Sequence, residues 1–83
     1  MINIRTATAQ DELAMKKALQ RERNAEALAS TNVLAFDGNC KPLHTFRSLK
    51  GALHDPLCAH LRILSGGVIR WATKYDDGEE HRP

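Results

Sequence analysis

The segment VLAF, residues 33–36, limits the folds open to this chain more than any other stretch. Successive side chains of a strand point to opposite faces, so Val33 and Ala35 would lie on one face and Leu34 and Phe36 on the other. Because all four are apolar, the strand has to be covered on both sides. We expect the first helix to cover one side, which leaves the other to a short helix, a second copy of the chain or a partner.

A long helix is predicted before this strand. Thr8 with Asp11 three residues later matches a capping box in its aspartate form. The stretch QDELAMKKALQRERNAEALAS that follows is rich in residues of high helix propensity. The polar triplet at residues 30–32 ends the pattern. The sequence therefore predicts one continuous helix up to residue 30.

Turn and cap signals organise the middle of the chain. Asp-Gly at residues 37–38, between apolar runs, is typical of a hairpin. Pro42 cannot donate a ladder hydrogen bond, so the second strand is expected to begin there or to lie at a sheet edge. Ser48 is placed to cap a short helix, SLKGALH, and Asp55 before Pro56 ends that helix because a residue preceding proline avoids the helical region.

Residues 56–64 fit two structures. As a helix they would begin with Pro56 at the first helical position and end at Gly66. As the first arm of a hairpin, apolar residues alternate with His60 and Arg62, and the Gly66-Gly67 pair supplies the turn. We favour the hairpin. In both cases VIRWATKY, which alternates in the same way, is predicted to be a strand.

The order helix, hairpin, short helix, hairpin predicts an α+β fold, with the N-terminal helix packed on a small antiparallel sheet. The sheet would consist of the two hairpins with the short helix between them. A chain of 83 residues supports one hydrophobic core. We assign residues 1–75 to a single domain and residues 76–83, DDGEEHRP, to an acidic flexible tail.

The formal net charge of +2 is unevenly distributed. The tail carries four acidic residues and one arginine, so the rest of the chain keeps 11 basic and six acidic residues. This moderately basic body favours an anionic partner.

Both cysteines and three of the four histidines lie between residues 40 and 60. Cys40, His44, His54 and Cys58 are residue types that bind zinc, but in an extended segment Cys40 and His44 would be about 13 Å apart. Zinc ligands lie within about 4 Å of each other. We therefore expect no metal site from these four residues, a buried Cys58 and an exposed Cys40. A zinc-stapled module is the lesser alternative.

Sequence motifs of nucleotide binding, nucleophilic catalysis and metalloproteases are absent from the sequence. We expect no catalytic residues, no cofactor and no enzymatic activity. The N-terminus MINIRTATAQ lacks the apolar stretch of a signal peptide, and no apolar run reaches the length of a membrane span. A cytoplasmic location without membrane contact is expected.

The candidate binding residues fall into two basic sets. On a helix, six polar residues would share one face: Lys16, Lys17, Gln20, Arg21, Arg23 and Asn24. On the last hairpin, three cations together with His60 would share the polar sheet face, opposite Trp71 and Tyr75: Arg62, Arg70 and Lys74.

These features predict a small non-enzymatic binding protein that regulates or inhibits a larger protein or nucleoprotein assembly by occupying part of its surface. Small chains of this kind often derive from phage or mobile elements, and we expect such an origin. The alternative is a nucleic-acid-binding protein whose basic helix face contacts phosphates. The two-sided apolar strand also makes a homodimer a candidate.

Overall fold

The computed structural model describes residues 2–76 and confirms the α+β fold class. In chain order the elements are β1 (Ile2–Thr6), α1 (Ala9–Arg21), α2 (Ala25–Ala29), β2 (Val33–Phe36), β3 (Pro42–Phe46), α3 (Leu49–His54), β4 (His60–Ser65) and β5 (Val68–Asp76). The five strands form one sheet in the order β1-β5-β4-β2-β3, with every neighbouring pair antiparallel. Of the predicted acidic tail, Asp76 ends β5, and residues 77–83 lie outside the described residues.

β2 is the strand around which both cores form. Leu34 and Phe36 are fully buried on the side that α1 covers, where they pack with Met15; we call this side the α1 face. Val33 and Ala35 are buried on the opposite side, the α3 face, in a cluster with Ala52 and other residues of the sheet. The short helix α3 therefore covers the second apolar face, which removes the reason for expecting a second copy there.

Both predicted hairpins are present. Pro42 is the first residue of β3, and β3 is an edge strand, as its missing N–H requires. Gly66 and Gly67 have φ of 58° and 80°, values that glycine adopts without steric cost, and they form the two-residue turn between β4 and β5. Residues 60–65 are thus a strand, and the helical alternative for this segment is wrong.

β1 was not predicted from the sequence. β5 is nine residues long, and its second half, from Ala72 to Asp76, pairs with β1 along the edge of β5 opposite β4. Ile4 packs against the cluster on the α3 face. Because the segment is short and its pairing partner lies about 70 residues away in the chain, nothing local to it marks a strand.

The prediction of one continuous helix up to residue 30 is wrong. α1 ends at Arg21, and Glu22 leaves the helical region with ψ of 139°. At 100° per residue, Leu19 and Leu28 would lie on opposite sides of a single straight helix. The break allows both to pack against the α1-face cluster. Within residues 2–76 no helix is long and apolar enough to cross a membrane.

The predicted helix caps are confirmed. Thr8 Oγ1 accepts a hydrogen bond from the Asp11 N–H at 3.1 Å, and Ser48 Oγ accepts one from the Gly51 N–H at 3.3 Å. Each hydroxyl satisfies a backbone donor that the first turn of a helix leaves free. These caps fix where α1 and α3 begin relative to the sheet.

A buried arginine joins α2 to the sheet. Arg62 on β4 is 2% exposed, and its Nη2 donates to the carbonyl oxygens of Leu28 at 2.7 Å and Thr31 at 2.9 Å. These acceptors lie in the last turn of α2 and just after it. Carbonyls at a helix C-terminus lack partners within the helix, so a guanidinium is a suitable donor for them. Arg62 is therefore a structural residue.

Replacing Arg62 with methionine should lower the free energy of unfolding by about 2–4 kcal/mol. Two carbonyl oxygens lose a charged donor, and each such hydrogen bond contributes about 1.5–3 kcal/mol. Part of this loss is offset because the variant no longer has to remove a guanidinium from water. Chemical denaturation of the variant measures this. Arg70→Met is the matched control, since Arg70 is exposed; it should change stability by less than about 0.5 kcal/mol. Equal effects of the two substitutions would contradict a structural role for Arg62.

Candidate functional site

The strand-borne basic residues do not share one face, contrary to prediction. Across the two-residue turn Ser65 pairs with Val68, so even-numbered residues of β4 lie opposite odd-numbered residues of β5. Arg62 consequently pairs with Trp71 on the α1 face, whereas Arg70 lies on the other face, paired with a residue of the α3-face cluster. The prediction assigned both arginines to one face because it ignored the pairing that a two-residue turn imposes.

Two further members of this set also have internal partners. Lys74 Nζ donates to the carbonyl oxygens of Leu53 at 3.3 Å and Asp55 at 2.9 Å, at the C-terminal end of α3. His60 is 8% exposed, and its Nδ1 lies 3.1 Å from Thr73 Oγ1. With Arg62 buried as well, Arg70 is the one cation of the predicted strand set that is exposed.

The helix-borne residues remain at the surface, although they do not form one continuous helix face. Lys16 Nζ lies 2.6 Å from Glu12 Oε2 and 5.7 Å from the centroid of the Trp71 ring, so it is already engaged within the domain. Five other residues of the set are exposed and lie in the second half of α1 or in the connection to α2. We call them the α1 basic surface: Lys17, Gln20, Arg21, Arg23 and Asn24.

The four cysteine and histidine residues weighed as zinc ligands are not brought together. Cys40 belongs to the cluster on the α1 face and Cys58 to the cluster on the α3 face, so the sheet separates them. His44 is exposed on β3, with Nε2 2.9 Å from Asp55 Oδ2, and His54 is exposed at the end of α3. Cys58 is buried, as predicted, but Cys40 is only 5% exposed, so the prediction of an exposed Cys40 is wrong.

We expect the native protein to keep both thiols free under mild oxidation, without an intrachain disulfide, because Cys40 and Cys58 lie on opposite faces of the sheet. Burial raises the pKa of each thiol, which keeps the reactive thiolate fraction low and should make alkylation by iodoacetamide slow. Intact-mass analysis of native samples, with denatured protein as the fast-reacting reference, measures both. A disulfide formed while the protein stays folded would contradict the two-sided placement.

A different set of three ligand-type residues converges near α1. Within residues 2–76, Asp11, Cys40 and His60 are the one group of at least three His, Cys, Asp or Glu residues whose ligand atoms all lie within 4.8 Å of one another. They come from α1, the β2–β3 turn and β4. Cys40 and His60 are buried, and Asp11 is partly buried.

The turn before β3 orients Cys40. Asp37 Oδ1 accepts hydrogen bonds from the N–H groups of Asn39 at 2.8 Å and Lys41 at 3.0 Å. These bonds, chiefly the one from Lys41, lower the pKa of Asp37. Cys40 has φ of 61°, a left-handed conformation that is uncommon outside glycine and asparagine. Its Sγ lies 3.8 Å from the carbonyl oxygen of Asp11, directed towards the first turn of α1. After burial, the charges of Asp11 and Asp37 also raise the pKa of Cys40.

The register between β2 and β4 places His60 beside this turn. His60 pairs with Phe36, the last residue of β2, so its side chain lies next to the segment that leads to Cys40. This group could not be predicted from the sequence, because Asp11 and Cys40 are 29 residues apart in the chain and the pairing of β2 with β4 has no local signal. The hairpin turn at residues 37–39 was the one part of the arrangement that could be predicted.

One open groove of about 600 Å³ lies between β1 and α3. It is lined by Ile2, Leu49, Lys50, Leu53 and His54. The lining is mainly apolar, and the two titratable residues that the structure places there are a lysine and a histidine without a carboxylate or thiol beside them. This groove offers no nucleophile paired with a base.

Comparisons with known proteins assign no family to this chain. No protein-family model, no curated protein and no solved structure matches it.

Proposed function

We propose that this chain is a small non-enzymatic binding protein that regulates or inhibits a larger assembly by occupying an anionic part of its surface. The contact region would be the α1 basic surface. The supporting observation is that Lys17, Arg21 and Arg23 are exposed and form no ion pair with any residue between positions 2 and 76. Three neighbouring cations without an internal counter-charge favour an anionic partner.

The helix dipole explains the position of only one of these three cations. A cation in the last turn of a helix interacts favourably with the helix dipole, and Arg21 occupies that position in α1. Lys17 precedes the last turn, and Arg23 follows the end of the helix. Because the dipole effect falls off within the last turn, it does not explain these two residues.

The helix that carries the surface is well anchored to the sheet. Met15 is completely buried against Leu34 and Phe36, and Leu19 packs on the same cluster. The cap at Thr8 fixes the start of the helix. A binding surface on a rigid element loses less conformational entropy on association, which supports α1 as the contact element.

The double substitution Lys17→Glu and Arg21→Glu should sharply weaken partner capture and leave the fold intact, because both residues are exposed. Placing a glutamate in the last turn costs about 0.3–1 kcal/mol through the helix dipole, a loss that a folded domain should tolerate. Lys41→Glu with Arg47→Glu is the control of equal charge change, at two exposed positions outside α1. Circular dichroism and thermal melts of all three proteins check folding.

Capture is measured by parallel affinity purification and mass spectrometry with the wild-type, double-variant and control chains as baits, each with and without nuclease. A protein that is retained by the wild type and the control, lost by the double variant and insensitive to nuclease supports the proposal. Equal recovery with all three baits would eliminate the α1 basic surface as the contact region.

A nucleic acid as partner is the competing outcome, and a salt titration separates the two. With labelled duplex DNA and single-stranded RNA as probes, phosphate contact predicts that log affinity falls linearly with log salt, with a slope of about −0.9 for each phosphate contacted on a duplex. If this slope is reduced in the double variant and unchanged in the control, the partner is a nucleic acid and the proposal of a protein partner is wrong. Absence of binding to both probes favours the protein partner.

A further inference from the structure

We propose that Asp11, Cys40 and His60 form a zinc-binding site that joins α1, the β2–β3 turn and β4. Their ligand atoms already lie within 4.8 Å of one another. Ligands of a tetrahedral zinc lie within about 4 Å of each other, given bonds of about 2.0–2.3 Å. Closing the site therefore requires side-chain movements of about 1 Å or less. The site is separate from the α1 basic surface and does not depend on its function.

The donor atoms identify the class of metal. A carboxylate oxygen, a thiolate sulfur and an imidazole nitrogen are the three ligand types that zinc combines in proteins. Calcium and magnesium prefer oxygen ligands alone, so Cys40 and His60 argue against them. Three protein ligands leave a fourth position for water or for a donor from a partner.

The backbone of Cys40 determines where its thiol lies. Its left-handed φ of 61°, at the end of the β2–β3 turn, is uncommon for a residue with a side chain. Glycine or asparagine adopts this conformation more readily. The conformation directs the thiol towards Asp11, whose carbonyl oxygen is 3.8 Å from Sγ.

The surroundings of His60 match those of a metal-binding imidazole. Such a histidine commonly uses its second ring nitrogen in a hydrogen bond, which fixes the ring. His60 Nδ1 lies 3.1 Å from Thr73 Oγ1, so Nε2 is the nitrogen available to a metal. With His60 8% exposed, the ring is held in one place beside Cys40. Thr73 is therefore assigned as a positioning residue.

The test uses the full chain, treated with chelator, reduced and titrated with Co²⁺ as a spectroscopic substitute for Zn²⁺. We expect saturable binding of a single equivalent, with an ultraviolet sulfur-to-cobalt charge-transfer band and visible bands of low-coordinate cobalt. Zn²⁺ should then displace Co²⁺ and abolish both the charge-transfer band and the visible bands. The charge-transfer band reports thiolate coordination directly and does not depend on any activity of the protein.

Variants assign the ligands. Cys40→Ser should abolish the charge-transfer band, and the matched control Cys58→Ser should retain it. His60→Gln and Asp11→Asn should weaken Zn²⁺ binding more than Thr73→Val, for which the loss of an outer hydrogen bond predicts about a 10–100-fold decrease in affinity. Circular dichroism checks that each variant folds. Asp11→Asn keeps the test decisive if Cys40→Ser does not fold, because the helix cap uses only the backbone N–H of Asp11.

Three results would each overturn the site. The first is the absence of saturable Co²⁺ or Zn²⁺ binding to the folded chain. The second is a cobalt spectrum without the sulfur band, which would indicate binding by surface imidazoles; His44→Gln, at an exposed position, would then remove it. The third is wild-type affinity in folded Asp11→Asn.

Discussion

The double burial of β2 is the constraint on which the rest of the structure depends. Its four residues are at most 4% exposed, and they divide evenly between the two faces of the sheet. An 83-residue chain has little apolar surface for covering both sides, so α1 and α2 cover one face and α3 covers the other. α1 brings Met15 to one side, and α3 brings Ala52 to the other. The break after α1 follows from the same constraint, since it returns Leu28 to the sheet.

The parts of the fold that could be predicted are those with a local cause. A hydroxyl three residues before a free N–H marks a cap at Thr8 and Ser48, and two adjacent glycines mark the turn between β4 and β5. The parts that could not be predicted depend on distant partners. β1 is a strand because it pairs with the edge of β5 opposite β4, and the helix ends at Arg21 because tertiary packing outweighs the high helix propensity of the following residues.

The same distinction separates the two candidate sites. The exposure of Lys17 and Arg21 follows from helical periodicity, which the sequence contains. The burial of Arg62 does not, because its acceptors are carbonyls that only the folded chain brings to β4. Composition alone classifies an arginine on a strand as a surface residue, yet a guanidinium with two carbonyl acceptors can be a core residue. The group around Cys40 was missed for the same reason, because β2–β4 pairing brings His60 to the turn.

The two proposals meet on α1. The α3 face is closed mainly by apolar packing, whereas the α1 face also contains the buried polar residues Arg62 and His60. No residue of the first turn of α1, residues 9–12, is buried, whereas Met15 in the next turn is completely buried. A metal bound by Asp11, Cys40 and His60 would join the first turn of α1 to the β2–β3 turn and to β4, and a ligand that binds only the folded state stabilises it. Since Lys17 and Arg21 lie on the same helix, an ion at its start would also help to hold the basic surface at its end in a single orientation.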